Sequence, residues 1–170
     1  MDLQQVLQEW HDFYLLMGAA SGTLLGAMFV VASIGTGFLT ADRADSVRAF
    51  VTPTVVNVSS VLIACALLVT PAITWWRLCV LTGVSGLAGL TYVAFIGRRI
   101  WLRHVDASDR FWHGFVPPAG CLMITATSVL AGLRREAAVE LLSTALLVLL
   151  IAGIRNAWDL IVFLVSRERQ

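Results

Sequence analysis

The chain has 170 residues, 58% of them apolar and only 14% charged, with a mean hydropathy of +0.82. A soluble domain is nearer half apolar and a quarter charged, and a domain of this size still exposes about a third of its chain surface, so one small aqueous core has no room for the apolar excess, whereas a bilayer accepts it. The net charge of +1 lacks the concentrated basic face that nucleic acid requires.

The first residues, DLQQVLQEWHD at 2–12, set Leu3, Val6, Leu7 and Trp10 at helical spacing with polar residues between. This reads as a short amphipathic helix on the membrane surface, or as the first turns of the helix that follows. Asp2, Glu9 and Asp12 stand where a signal peptide carries positive charge, so the apolar run behind them is expected to stay as an anchor. That run, segment 1 at 13–39, carries Gly18, Gly22 and Gly26 four residues apart, beside Ala19 and Thr23. A double GxxxG makes a flat groove for a second helix backbone. The second helix belongs either to another copy, giving a homo-oligomer, or to the same chain.

A polar loop is expected over 40–49, where Arg43 and Arg48 stand against Asp42 and Asp45. Segment 2 follows at 50–70, with Pro53 in its first turn, where a missing N–H costs little. Thr52, Thr54, Asn57, Ser59 and Ser60 make its first half polar. These groups bond to neighbouring helices or line a wet cavity, and Asn57 has the greatest need, because an amide wants several partners. Pro71 ends the segment, and Trp75 and Trp76 mark a headgroup layer. Segment 3, at 78–101, carries Gly83, Gly86 and Gly89 as a close-packing face. The short connection predicts an antiparallel hairpin of segments 2 and 3.

Arg98, Arg99, Arg103 and Arg110 form the most basic stretch and are expected to face anionic lipid headgroups, with Trp101 and Trp112 as interface markers. Segment 4, at 111–133, has Pro117 and Pro118 early, in its first turns or at a kink. Arg134, Arg135 and Glu136 turn the chain into segment 5, at 138–165.

Segment 5 holds the most informative chemistry. Apolar on both sides, it is interrupted by Arg155, Asn156 and Asp159. Arg155 and Asp159 share a helix face four residues apart, which offsets part of the roughly 2.5–3.5 kcal/mol that a charge costs at the bilayer centre. Asn156 points away and needs its own partner, such as Asn57. Two geometries compete. A span beginning near Ala137 reaches Ile154 after about 27 Å of helix, so Arg155 snorkels to the inner interface with Trp158 in the aromatic belt. A tilted helix over 140–165 instead buries Arg155 among helices, as a structural clamp or on an ion or proton path.

All twelve basic residues are arginine. Those after segments 1 and 3 and in the C-terminal tail (Arg43, Arg48, Arg98, Arg99, Arg103, Arg110, Arg167, Arg169) outnumber those on the other side (Arg77, Arg134, Arg135) by eight to three. The positive-inside rule then places the N-terminus outside and the C-terminus inside. No internal repeat supports an inverted-repeat transporter.

Chemistry of other kinds is not visible. No GxSxG, HExxH, P-loop or GxGxxG occurs, His11, His104 and His113 form no ligand set, and Glu140 lies about 28 Å along one helix from Asp159. Cys65, Cys79 and Cys121 sit inside apolar runs and read as packing residues. No catalytic, cofactor or metal site is expected. The segments GTLLGAMFVVAS at 22–33 and GIRNAWDL at 153–160 resemble parts of small bacterial multi-pass inner-membrane proteins, some of them described as modulators of a membrane-bound AAA protease. The resemblance implies an inner-membrane setting and no substrate.

The expected architecture is an all-α bundle of five membrane helices forming one domain over 1–170. The expected role is structural or regulatory, through association with itself or with a membrane-protein partner. The alternative is a small homo-oligomeric channel or transporter using Asn57, Arg155, Asn156 and Asp159.

Overall fold

A computed structural model describes residues 3–36, 41–71, 73–100 and 115–167, with side chains placed except at 32, 34–36, 41–53, 96–100, 160–161 and 163–167. In lipid a backbone must satisfy its own hydrogen bonds, and a helix does so within one segment. Among the described residues there are six helices: α1 Leu3–Glu9, α2 His11–Thr36, α3 Ala41–Val69, α4 Trp75–Ile100, α5 Val116–Gly132 and α6 Ala137–Arg167. No strand occurs among the described residues. Three of the helices contain stretches long and apolar enough to cross a membrane, His11–Val31, Trp75–Phe95 and Ala137–Asp159, and Thr54–Val69 and Val116–Gly132 are shorter apolar helices.

The helix boundaries follow local chemistry, with one departure from expectation. Pro117 and Pro118 fall in the first turn of α5, where the lost N–H had no partner to lose. Pro53, by contrast, lies well inside α3, because the expected loop is helical from Ala41. Its Ala and Arg residues are good helix formers, and a helix does not stop merely because its side chains become charged. The α5–α6 turn is a Schellman motif: Arg135 N–H donates to Leu130 O and Arg134 N–H to Ala131 O, both at 3.0 Å. Its left-handed position is held by Arg134, at φ 52°, where glycine would be unstrained.

The helices alternate in direction around α6. Gly18 faces Cys65, and Met28 clusters with Val55, so α2 and α3 run antiparallel. Gly83, Gly86 and Gly89 face Ser128, Thr125 and Cys121, so α4 and α5 do the same. α6 packs against α5, α3 and α2. It runs parallel to α2, with Tyr14 on Ser143 and Leu24 on Gly153. α3 and α4 share no extended contact among the described residues. The expected hairpin of segments 2 and 3 is therefore not a packed pair: the short connection returns the chain, but α4 pairs with α5 and α3 with α2 and α6. Within its span α6 is 56% buried, against 22% for α2 and 17% for α4, which identifies it as the central helix.

The outer surface is apolar. Leu15, Leu16, Phe29 and Val30 on α2, Val84, Leu87 and Phe95 on α4, Leu122 and Val129 on α5, and Ile151 and Ile154 on α6 are all exposed. Ser21, Thr54, Thr82, Thr127 and Ser143 are buried. The outward face is thus apolar like the core, a surface that hydrocarbon accepts and water does not favour. Most hydroxyls donate to the carbonyl four residues back, as Ser21 does to Met17 O, Thr82 to Leu78 O and Thr127 to Met123 O.

Of the two readings of residues 2–12, the structure gives a short helix, α1, that directly precedes α2 and packs on the bundle. Leu3, Val6 and Leu7 are buried in one cluster with Leu68, Ile73, Leu78, Ala138 and Val139, and Gln4 Nε2 donates to Ile73 O at 3.1 Å. α1 thus caps the end of the bundle where α2, α4 and α6 begin. Amphipathicity alone cannot say which apolar phase takes the apolar face.

Two stability outcomes follow. Arg134→Gly removes the left-handed strain and raises unfolding free energy by about 0.5–1 kcal/mol after the added chain entropy of glycine. A Cβ on Gly86 would stand 2.8 Å from Thr125 N and 3.1 Å from its Cα, so Gly86→Ala lowers it by roughly 1–3 kcal/mol. Equilibrium unfolding in lipid–detergent bicelles measures both.

Candidate functional site

A polar group in a bilayer interior is costly unless paired, so each one on α6 marks a place where the bundle had to supply a partner. Taken from the N-terminal end of α6, the first is Ser143. Its Oγ donates to Val139 O at 2.8 Å and accepts from Tyr14 OH at 2.9 Å. Both side chains are buried. Tyr14 also sits edge-on to Phe13, which sits edge-on to Trp10, with ring centroids 5.5 Å apart in each case. The relay ends in a backbone carbonyl and leaves no free nucleophile.

The second level is Asn57, whose Nδ2 donates to Leu149 O across 2.9 Å. This places the α3 backbone close to α6: a Cβ on Gly153 would lie 2.6 Å from Val58 Cγ2. Glycine at 153 and the amide at 57 together allow this crossing. On the other flank Gly120 of α5 does the same, where a Cβ would meet Leu149 Cδ2 at 2.5 Å.

The third level is Arg155 and Asp159. Arg155 Nε lies 3.4 Å from Asp159 Oδ2, with side chains 42% and 26% exposed. The two facing atoms are shielded from solvent, and the contact is an ion pair rather than a well-aligned hydrogen bond. Half-exposure places the pair at the flank of α6, not in its seam. Asn156 is half-buried beside it.

Among the four predicted cluster residues there are two separate sets of bonds. Asn57 is engaged at Leu149, six residues and about 9 Å of helix before Arg155, and it does not serve Asn156. Of the predicted packing glycines, only Gly18 meets a neighbour: a Cβ there would lie 3.4 Å from Cys65 Cβ, while Gly22 and Gly26 have nothing within 4 Å. The α2 face turned inward is instead Tyr14, Met17, Ser21 and Met28, a stripe at helical spacing about a quarter turn from the glycine stripe. Of the expected headgroup residues, Arg98 and Arg99 fall in the last turn of α4 with side chains outside the described residues, and Arg103 lies outside them altogether. Among the described residues no group of three or more His, Cys, Asp or Glu gathers to hold a metal.

Sequence reasoning misses the Tyr14–Ser143 pair. Its signal is present: each is a polar interruption within two turns of the start of an apolar segment, and segments 1 and 5 run in the same direction in a five-helix alternation. Comparisons with protein-family models, with curated proteins and with solved structures find no match.

The bonds predict modest, separable costs. Asn57→Leu and Tyr14→Phe each lower unfolding free energy by roughly 0.5–1.5 kcal/mol, and a Tyr14→Phe/Ser143→Ala double-mutant cycle returns a coupling of about 0.6 kcal/mol, the average for such bonds between membrane helices.

Proposed function

We infer that the chain is a five-span membrane protein of a bacterial inner membrane, N-terminus outside and C-terminus inside, that acts by helix–helix association through the outer face of α2. The observation that carries this reading is the contrast among the glycines. Gly83, Gly86, Gly89, Gly120 and Gly153 are each filled by a neighbouring helix, while Gly22 and Gly26 face open space. A glycine inside a helix costs about 1 kcal/mol relative to alanine. At 22 and 26 nothing among the described residues offsets that cost, and a partner helix lying in the groove would.

Five spans are supported by the alternating directions of α2 to α6 and by the level that their ends share beneath the α1 cap. The orientation rests on the eight-to-three arginine asymmetry. With the span beginning at Ala137, Arg155 lies about 27 Å along α6, near the inner interface, and the exposed Trp158 stands beside it as an aromatic anchor. This favours the anchoring role for Arg155 and Asp159. A conducting path has less support. The Tyr14, Ser143 and Asn57 groups close on protein partners, and the outward stripe of α6 is Leu147, Ile151, Ile154 and Trp158.

The test is self-association in liposomes, read by energy transfer between labelled copies diluted with lipid. The wild-type chain is expected to associate, Gly22→Ile/Gly26→Ile to abolish the transfer, and Gly22→Ala/Gly26→Ala to weaken it while leaving the monomer at least as stable. Undiminished transfer in the isoleucine variant would exclude the α2 groove as the contact.

A further inference from the structure

We propose that α1 is a two-position strap, which exchanges its seat on the end of the bundle for the lipid headgroup layer beside it. The inference rests on the membrane reading above and goes beyond it.

The strap has two seats of the same chemistry at one level. Its buried face is Leu3, Val6 and Leu7, the pattern that partitions into a headgroup boundary when no protein covers it. Gln5, Gln8 and Glu9 point outward, so the polar face is solvated in either seat. Trp75 and Trp76 begin α4 at that same end, and Trp76 is 75% exposed, which sets the level of the interface at which such rings rest. Moving from one seat to the other needs no change of depth.

Beyond its three apolar side chains, α1 has one polar tether and a short hinge. The polar tether described above is the Gln4 amide on Ile73 O, made by a residue whose side chain is largely exposed. α1 and α2 are separated only at Trp10, and the backbone there still follows the helical path, with Trp10 N–H on Val6 O at 3.3 Å and Tyr14 N–H on Trp10 O at 3.1 Å. A rotation at this one residue swings α1 as a body without unwinding it.

The hinge is also coupled to the interior. Trp10 lies edge-on to Phe13, and Phe13 edge-on to Tyr14, so the ring at the hinge is two contacts from the hydroxyl that Ser143 accepts. A seven-residue helix is too short to stand alone in water, so one that leaves the bundle must find the lipid surface or unwind. Those two fates are distinguishable.

The full chain is placed in nanodiscs of phosphatidylcholine and phosphatidylglycerol, with Cys65, Cys79 and Cys121 replaced by alanine and spin labels at Gln5→Cys and Leu133→Cys, both exposed positions. Co-elution with the discs checks the membrane reading separately. Electron–electron distance measurement is expected to show two separations, the longer rising about fivefold in Gln4→Ala, the shift that one net hydrogen bond of about 1 kcal/mol commands. Hydrogen exchange is expected to leave the α1 amides protected in that variant. A single separation unmoved by Gln4→Ala overturns the proposal in favour of a fixed cap. A second separation with α1 amides exchanging at coil rates overturns it in favour of a fraying terminus.

Discussion

Along α6, buried residues recur in pairs: Ala138 and Val139, Leu142 and Ser143, Ala145 and Leu146, Leu149 and Leu150, Ala152 and Gly153. Between the pairs an outward stripe runs through Glu140, Thr144, Leu147, Ile151, Ile154 and Trp158. A seam two residues wide must be covered on both flanks, and one neighbouring helix cannot do so. α5 covers one flank, and α3 with α2 covers the other. The two outer pairs, α2 with α3 and α4 with α5, are therefore joined chiefly through α6, with α1 bridging them at one end.

Close approach to this seam comes from small residues and not from large apolar ones. Lipid tails compete with leucine for apolar surface, so packing depends on backbones approaching closely and on polar groups finding partners. Gly120 and Gly153 admit Leu149 and Val58, and the Asn57 bond reaches the α6 backbone through the space that the crossing leaves. Gly83, Gly86 and Gly89 do the same for α4 on α5. The hydroxyls mostly turn back on their own helices, which keeps them satisfied without committing a neighbour. The few that cross between helices, Tyr14 to Ser143 and Ser128 to Cys79 O, sit at buried or half-buried contacts and set register there.

How much is legible in the sequence depends on the kind of signal. Long apolar runs with their prolines and tryptophans mark where the helices lie, most ends falling within a few residues and the start of α3 nine residues early. The stretch 40–49 reads as a loop only if charge is equated with a boundary, and charge ends a membrane span without ending a helix. The spacing of the glycines at 18, 22 and 26 is the same for a face turned inward or outward, so it cannot say which of them is filled. The need of Asn57 for a partner is legible, but the partner is a backbone carbonyl, and every residue of α6 offers one.

The helices, and the apolar length that lets three of them cross a membrane, are readable from the chain alone, since hydropathy, proline placement and turn residues are local or additive quantities. Tertiary structure decided which helix is central, which glycines are filled, where α1 rests and that α4 pairs with α5 in preference to α3. Each of these is a choice between surfaces of equal composition. Only the shapes brought into contact, as at Gly86 against Thr125 or at Leu3 against the bundle end, distinguish one apolar seat from another.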